Sequence, residues 1–211
     1  MLLDITRQLL TDWPLKECFF THFYAAQPIS SASRAGLITG CYPNRVGISG
    51  ALMPQGRIGV APNEETLPEM LKTRGYSCGM VGKWHLGHLY PFLPLQQGFD
   101  EYLGLPYSND MWPVDYDGNR VTPASNLPNK LRHPALPLID GNEKIRELWT
   151  LDDQAELLHY IRNGRSSLSK RIVNNHFFFT LLTRCHMFRL LYPTNLKERV
   201  NKVYMGMSCL R

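Results

Sequence analysis

The chain has 211 residues, of which 44% are hydrophobic and 19% charged. That is enough apolar content for one domain with a real core, and too much for a disordered polymer. No apolar run reaches the roughly 18 residues that span a bilayer, so a membrane partner is not expected, and five scattered cysteines without a CxxC indicate neither a zinc site nor a disulfide framework.

In chain order, the opening MLLDITRQLL is broken by Asp4 and Arg7 and does not read as a signal peptide. Residues 31–39 read as a short helix opened by serines and closed by Gly40, inside PISSASRAGLITGCYPNRVG, residues 28–47. Residues 66–74, TLPEMLKTR, predict a second helix. Thr66 and Glu69 form a capping box, Leu67, Met70 and Leu71 an apolar face, and Gly75 the stop. YSCGMVG then reads as a short buried strand. Helix, glycine and strand make half of a βαβ unit, which points to an α/β sheet. KWHLGH follows where such a strand ends, the place where ligand sites of open α/β sheets gather. Residues 91–143 are rich in proline and glycine and are expected to be a long loop region. No internal repeat is visible.

The net charge of +5 is unevenly spread. Residues 157–211 hold ten Lys/Arg and one acidic residue, net +9, whereas residues 1–156 hold thirteen Lys/Arg and seventeen Asp/Glu, net −4. Taken alone, the basic end is consistent with an arm for nucleic acid or an acidic membrane.

Chemistry singles out a few side chains. A helix N-terminus presents free N–H groups and partial positive charge to an anion. Arg34, one turn into the first helix, adds a fork of donors suited to a tetrahedral oxyanion. Lys83 and His85, two apart after a strand, point to one side, where they could grip a phosphate or sulfate and protonate a leaving oxygen. Each has a plainer reading. Ser30, Ser31 and Ser33 could simply cap a helix, His85 could be a satisfied core histidine, and Lys83 could be solvated.

Together these residues resemble a known family. Ser30-Ser31-Ala32-Ser33-Arg34, followed by AGLITG and YPNRVG, is similar to the sulfatase signature C/S-x-P/A-S-R-x-x-L-x-T-G. VGKWHLG at 81–87 resembles the family's second signature, and PLQQGFDEYLGLPYSNDMWP at 94–113 the loop after it in the arylsulfatase branch. FTHFYAAQP at 20–28 resembles the strand that leads into the first signature. The resemblance runs over residues 20–156. It implies a partial catalytic domain of the alkaline-phosphatase-like α/β fold, a mixed or parallel sheet flanked by helices, here incomplete.

The resemblance also implies a mechanism. Ser30 would be oxidised to formylglycine by a maturase of the radical type that serves bacterial serine-type members. The modified residue would touch a divalent metal, usually Ca2+. Arg34 would hold and orient it, Lys83 would bridge it and the sulfate, and His85 would hydrogen-bond it. Ser108, in PYSND, would contact the site, unless it is an ordinary loop serine. The substrate would be a sulfate-ester small molecule or a sulfated sugar, with Trp112 stacking on a ring or serving as a structural aromatic. Members are often periplasmic, secreted or lysosomal. A phosphodiester or phosphonate hydrolase of the same superfamily, a non-catalytic anion pocket and a basic nucleic-acid-binding protein are the alternatives.

The family's metal-binding carboxylates, two adjacent aspartates upstream and an Asp-Asn pair far downstream, have no counterpart here. Asp152-Asp153 stands too early and in another context. Hard cations want several oxygens, so the chain as written is expected to show no turnover. A shift of two nucleotides restores family-like text at both ends. Trp13-Pro14 then forces alanine and Met187-Phe188 forces valine, and both fit. Residues 1–19 and 157–211 are therefore expected to be out-of-frame text, with frame changes near residues 20 and 156. On that reading the basic end binds no nucleic acid.

Overall fold

The computed structural model describes residues 24–171, 176–179 and 208–209. Helix α1, Ser30–Thr39, begins one residue before the expected start. Its N-cap position is the extended Ile29, and among the described residues no side chain caps it. The capping role expected of the serines is therefore corrected. Ser31 Oγ instead accepts from the Leu52 N–H at 3.0 Å, and Ser33 Oγ donates to Ser30 O at 3.1 Å. Short hydroxyl side chains bond to whichever backbone group is nearest, and here that is not the helix end. Gly40 ends the helix as expected, at φ 66° with its N–H on Gly36 O at 3.0 Å.

Helix α2, Leu67–Lys72, starts at Thr66, whose N–H donates to the Glu69 carboxylate at 2.8 Å. Its expected apolar face is corrected in part. Leu67 and Leu71 lean on the core, but Met70 is half exposed and Pro68 is buried in its place. A helix of under two turns presents too narrow a stripe for all three apolar residues. Gly75 then turns the chain at φ 78°.

Strand β1, Ser77–Lys83, follows, with five consecutive buried residues. An unbroken buried run is what a strand covered on both faces requires. It pairs in parallel with β2, Glu101–Leu105, on one side and β5, His176–Phe179, on the other. Strands β3, Leu136–Asp140, and β4, Glu143–Leu148, extend the sheet antiparallel beyond β2, and β6, Ser208–Cys209, pairs antiparallel with β5. The order is β4-β3-β2-β1-β5-β6. Short helix α3, Pro128–Leu131, precedes β3, and the longer α4, Leu151–Arg171, follows β4. One core cluster joins α1 to the sheet through Ala35, Ile38, Met80, Trp84 and Phe99. A second gathers Leu105, Trp112, Leu136, Leu138, Leu148 and Leu157.

The long loop expected over 91–143 is thus corrected, since it contains β2, β3 and the first residue of β4. Gly104 shows why the pattern misled. It reads as a loop signal, yet in β2 a Cβ at this position would fall on Gly82 O of the paired strand. The glycine lets two backbones close up. Gly104→Ala is expected to cost about 3 kcal/mol, the upper end for an overpacked site. Urea unfolding checks this, and a wild-type midpoint would rule out the close approach.

The first expected out-of-frame segment, 1–19, lies outside the described residues, as does most of the second. Of that second segment only the rest of α4 and the short β5 and β6 are described. Among the described residues no helix is long and apolar enough to cross a membrane. Asp153 opens α4, where its carboxylate accepts the N–H groups of Trp149 and Thr150 at 2.9 Å each. It serves as a helix-start carboxylate, in keeping with the context expected for Asp152-Asp153.

Candidate active site

The site forms where β1 ends. Pairing with the β2 side continues past Lys83, through Trp84 N–H to Leu105 O at 2.8 Å and His85 N–H to Pro106 O at 3.0 Å. His85 has φ 64°, a left-handed conformation that costs a side-chain-bearing residue about 1–2 kcal/mol. The flanking hydrogen bonds hold it there.

The ring of His85 is 2% exposed and has two contacts. Nε2 lies 2.9 Å from Leu52 O and Nδ1 lies 3.2 Å from Ser30 Oγ. A carbonyl only accepts, so Nε2 carries the proton and Nδ1 accepts from the Ser30 hydroxyl. Burial is the main force lowering the His85 pKa, to about 3, and the Lys83 and Arg34 charges add to it. The imidazole is therefore neutral at pH 7.

Arg34 lies one turn beyond Ser30 on α1 and is 3% exposed. Its Nε donates to Ser30 Oγ at 3.1 Å and its Nη1 to Lys83 O at 2.6 Å. Burial pushes Arg34 down to about 9, which leaves it cationic at neutral pH. Ser30 Oγ thus accepts from a cation and donates to a neutral imidazole. Lys83 Nζ donates to Ser108 Oγ at 3.0 Å, which places Ser108 beside this set. The structure brings Ser30, Arg34, Lys83, His85 and Ser108 into one connected set, built from α1, the end of β1 and the segment after β2. Two cations and a neutral histidine suit a doubly charged oxyanion.

Other residues support this set without a signal in the sequence. Leu52 fixes His85 through its carbonyl and is itself fixed by its N–H on Ser31 Oγ. Asn109, beside Ser108, exchanges two hydrogen bonds with Gln154 of α4. Asn109 Nδ2 donates to Gln154 Oε1 at 3.1 Å, and Gln154 Nε2 donates to Asn109 O at 2.8 Å. Both residues are buried, so the pair anchors the Ser108 segment to the helix. Trp112 is 1% exposed and sits in the second core cluster, where it acts as a structural aromatic and not as a stacking platform.

Among the described residues no three His, Cys, Asp or Glu side chains converge to hold a metal. Ser30 offers one oxygen, against the roughly six to eight that Ca2+ takes. The described residues do not fit the ion that the family resemblance implies.

The chain is similar to known sulfatases. Arylsulfatase G of Canis lupus familiaris is 43% identical over 109 residues, which is 52% of this chain and 20% of that protein. N-acetylgalactosamine-6-sulfatase of Sus scrofa is 45% identical over 117 residues, 52% of this chain and 21% of that protein. The chain therefore spans about a fifth of the length of these relatives. Among solved structures, Ps i-CgsB matches with TM-score 0.56 and 26% identity, over 87% of this chain and 42% of that one. Its complex with k-i-k-neocarrahexaose matches with TM-score 0.51 over 74% and 34%. The sheet and its flanking helices thus have the alkaline-phosphatase-like α/β fold of sulfatases. The sulfatase family model matches residues 4–193, nearly the whole chain. With Ser30, Arg34, Lys83 and His85 gathered at the end of β1 and that match across the sequence around them, the chain belongs to the sulfatase family.

Proposed function

We propose that this chain carries the sulfate-binding part of a sulfuric ester hydrolase site, with Ser30 as the residue oxidised to formylglycine. One observation supports the reading above the rest: Arg34 Nε and His85 Nδ1 both reach Ser30 Oγ, at 3.1 and 3.2 Å. The Ser30 position is thereby oriented from two sides. Arg34 and Lys83 offset the charge of a bound sulfate, and Ser108 fixes where the Lys83 ammonium stands. The aldehyde formed by that oxidation would take up water, and the second hydroxyl so gained on one carbon would let sulfate depart where a plain serine would retain it.

Calcium-dependent turnover needs carboxylates from outside the described residues. By itself the chain is read as an oxyanion-binding half-site without turnover. The substrate class is a sulfate ester, a small molecule or a sulfated sugar, in keeping with the relatives named for sulfatase activity. The test is co-expression with a serine-type maturase, followed by mass spectrometry of the Ser30 peptide. The expected result is a peptide lighter by two hydrogens. Intact serine in every preparation would overturn the formylglycine reading, and aryl sulfate hydrolysis by the modified chain would overturn the absence of turnover.

A further inference from the structure

Ser30 and Ser31 are consecutive in the first turn of α1. Side chains one residue apart on a helix point about 100° apart, so the two hydroxyls meet different neighbours. Ser30 Oγ stands between Arg34 Nε at 3.1 Å and His85 Nδ1 at 3.2 Å. Ser31 is 0% exposed, and its Oγ accepts from the Leu52 N–H at 3.0 Å. Leu52 O lies 2.9 Å from Nε2 of the same His85 ring. The two serines thus engage both nitrogens of one imidazole, Ser30 directly and Ser31 through Leu52.

Leu52 depends on this hold. It lies in a stretch, 48–53, that has neither helix nor strand, so no ladder sets the direction of its carbonyl. Its side chain leans on the first core cluster, which fixes where the residue lies. The hydrogen bond to Ser31 fixes how its backbone is turned.

A neutral imidazole has one proton to share between two nitrogens. A carbonyl held against Nε2 keeps the proton there and leaves Nδ1 as an acceptor. Were that carbonyl to turn away, the form with the proton on Nδ1 would no longer be excluded. Nδ1 would then face Ser30 Oγ as a donor, and the Ser30 hydroxyl, which already accepts from Arg34, would lose the acceptor that orients its own proton. We propose that Ser31 is a positioning residue: through Leu52 it holds His85 in the tautomer whose Nδ1 accepts from residue 30, and so fixes the direction of the hydroxyl proton there. The bearing of this on ester hydrolysis rests on the sulfate-site reading above, whereas the tautomer itself does not.

Proton–nitrogen NMR of the full chain, with its histidines labelled with nitrogen-15, tests the proposal. His85→Gln identifies the signals of residue 85. The wild type should show a protected proton on Nε2 and none on Nδ1. Ser31→Ala should speed exchange of the Nε2 proton with water about tenfold, the effect of one hydrogen bond. It should also move the Nδ1 resonance towards the protonated position. Ser31→Cys keeps the volume but offers only a weak acceptor, and should behave as the alanine variant does. Ser31→Thr keeps the hydroxyl and should restore the wild-type signals. If its added methyl prevents folding, the comparison of Ser31→Cys with the wild type carries the test. A purely structural role would lower the urea midpoint of Ser31→Ala and Ser31→Cys yet leave both ring nitrogens as they are, and that result would overturn the role of Ser31. A proton on Nδ1 in the wild type would overturn it as well. Failure of the wild type to bind inorganic sulfate in calorimetry would overturn the sulfate-site reading instead, and would not alter what the ring signals say of Ser31.

Discussion

Arg34→Ala is expected to weaken sulfate binding by about 100-fold or more and to lower stability by about 3 kcal/mol. The two effects have separate causes. For the ligand, Arg34 is a buried cation whose planar fork supplies charge-assisted hydrogen bonds, each about twice as strong as a neutral one. For the fold, its Nη1 donates to Lys83 O at 2.6 Å and its Nε to Ser30 Oγ at 3.1 Å. Truncation removes both donors from a buried place and leaves the space of the side chain unfilled. Two further variants tell the effects apart. Arg34→Met fills the volume and should recover part of the stability, yet bind sulfate as poorly as the alanine variant. Arg34→Lys keeps the charge, but a single ammonium cannot match the fork that spans Ser30 and Lys83, so its sulfate affinity should fall about tenfold. Calorimetry with sulfate and urea unfolding read the two quantities. Undiminished sulfate binding by Arg34→Met would show that the guanidinium does not serve the anion.

The candidate set was legible in the sequence because its letters are those that anion chemistry favours. Few residue types other than Arg, Lys and His can hold an oxyanion, and they stand at element ends that the pattern marks clearly. The apolar run of β1 marks the end where Lys83 and His85 stand, and Ser30 and Arg34 lie in the first turns of the helix that Gly40 closes. The supporting residues were hidden for physical reasons. Leu52 contributes a carbonyl, which every residue has, and Gln154 reads as one more polar residue of a helix until its amide is seen against Asn109. The fold between 91 and 143 was obscured by glycine and proline used for packing. Gly104 closes a strand pair, and Pro137 sits within β3 opposite Glu147. The serines misled in another way. A hydroxyl has several possible partners within reach, and only the tertiary structure decides that Ser31 serves Leu52.

The second large effect concerns acid. His85 is held neutral by burial and by the neighbouring Lys83 and Arg34 charges, with its pKa lowered from 6.5 to about 3. The unfolded chain binds that proton below about 6.5 and the folded chain does not until about 3. Stability therefore rises with pH through this window, is fully present above the unfolded value, and falls as pH drops from 6.5 towards 3. At about 1.4 kcal/mol per unit the loss reaches up to about 5 kcal/mol. His88 and His133 are also lowered, mainly by burial, and add to the slope with the same sign. Carboxylates act lower down. Asp115, held down chiefly by the Asn119 N–H, and Glu147, held down by Lys144, lose their contribution only below the ordinary carboxylate range near 4. The interval from 6.5 to about 4.5 thus belongs to the histidines. Urea unfolding at steps across it should show a falling midpoint, and His85→Gln should flatten most of that fall. Gln cannot take up a proton, and its side chain can still donate to Leu52 O. A slope that survives His85→Gln unchanged would place the acid sensitivity elsewhere and would mean that His85 is not the neutral acceptor on which the geometry at Ser30 depends.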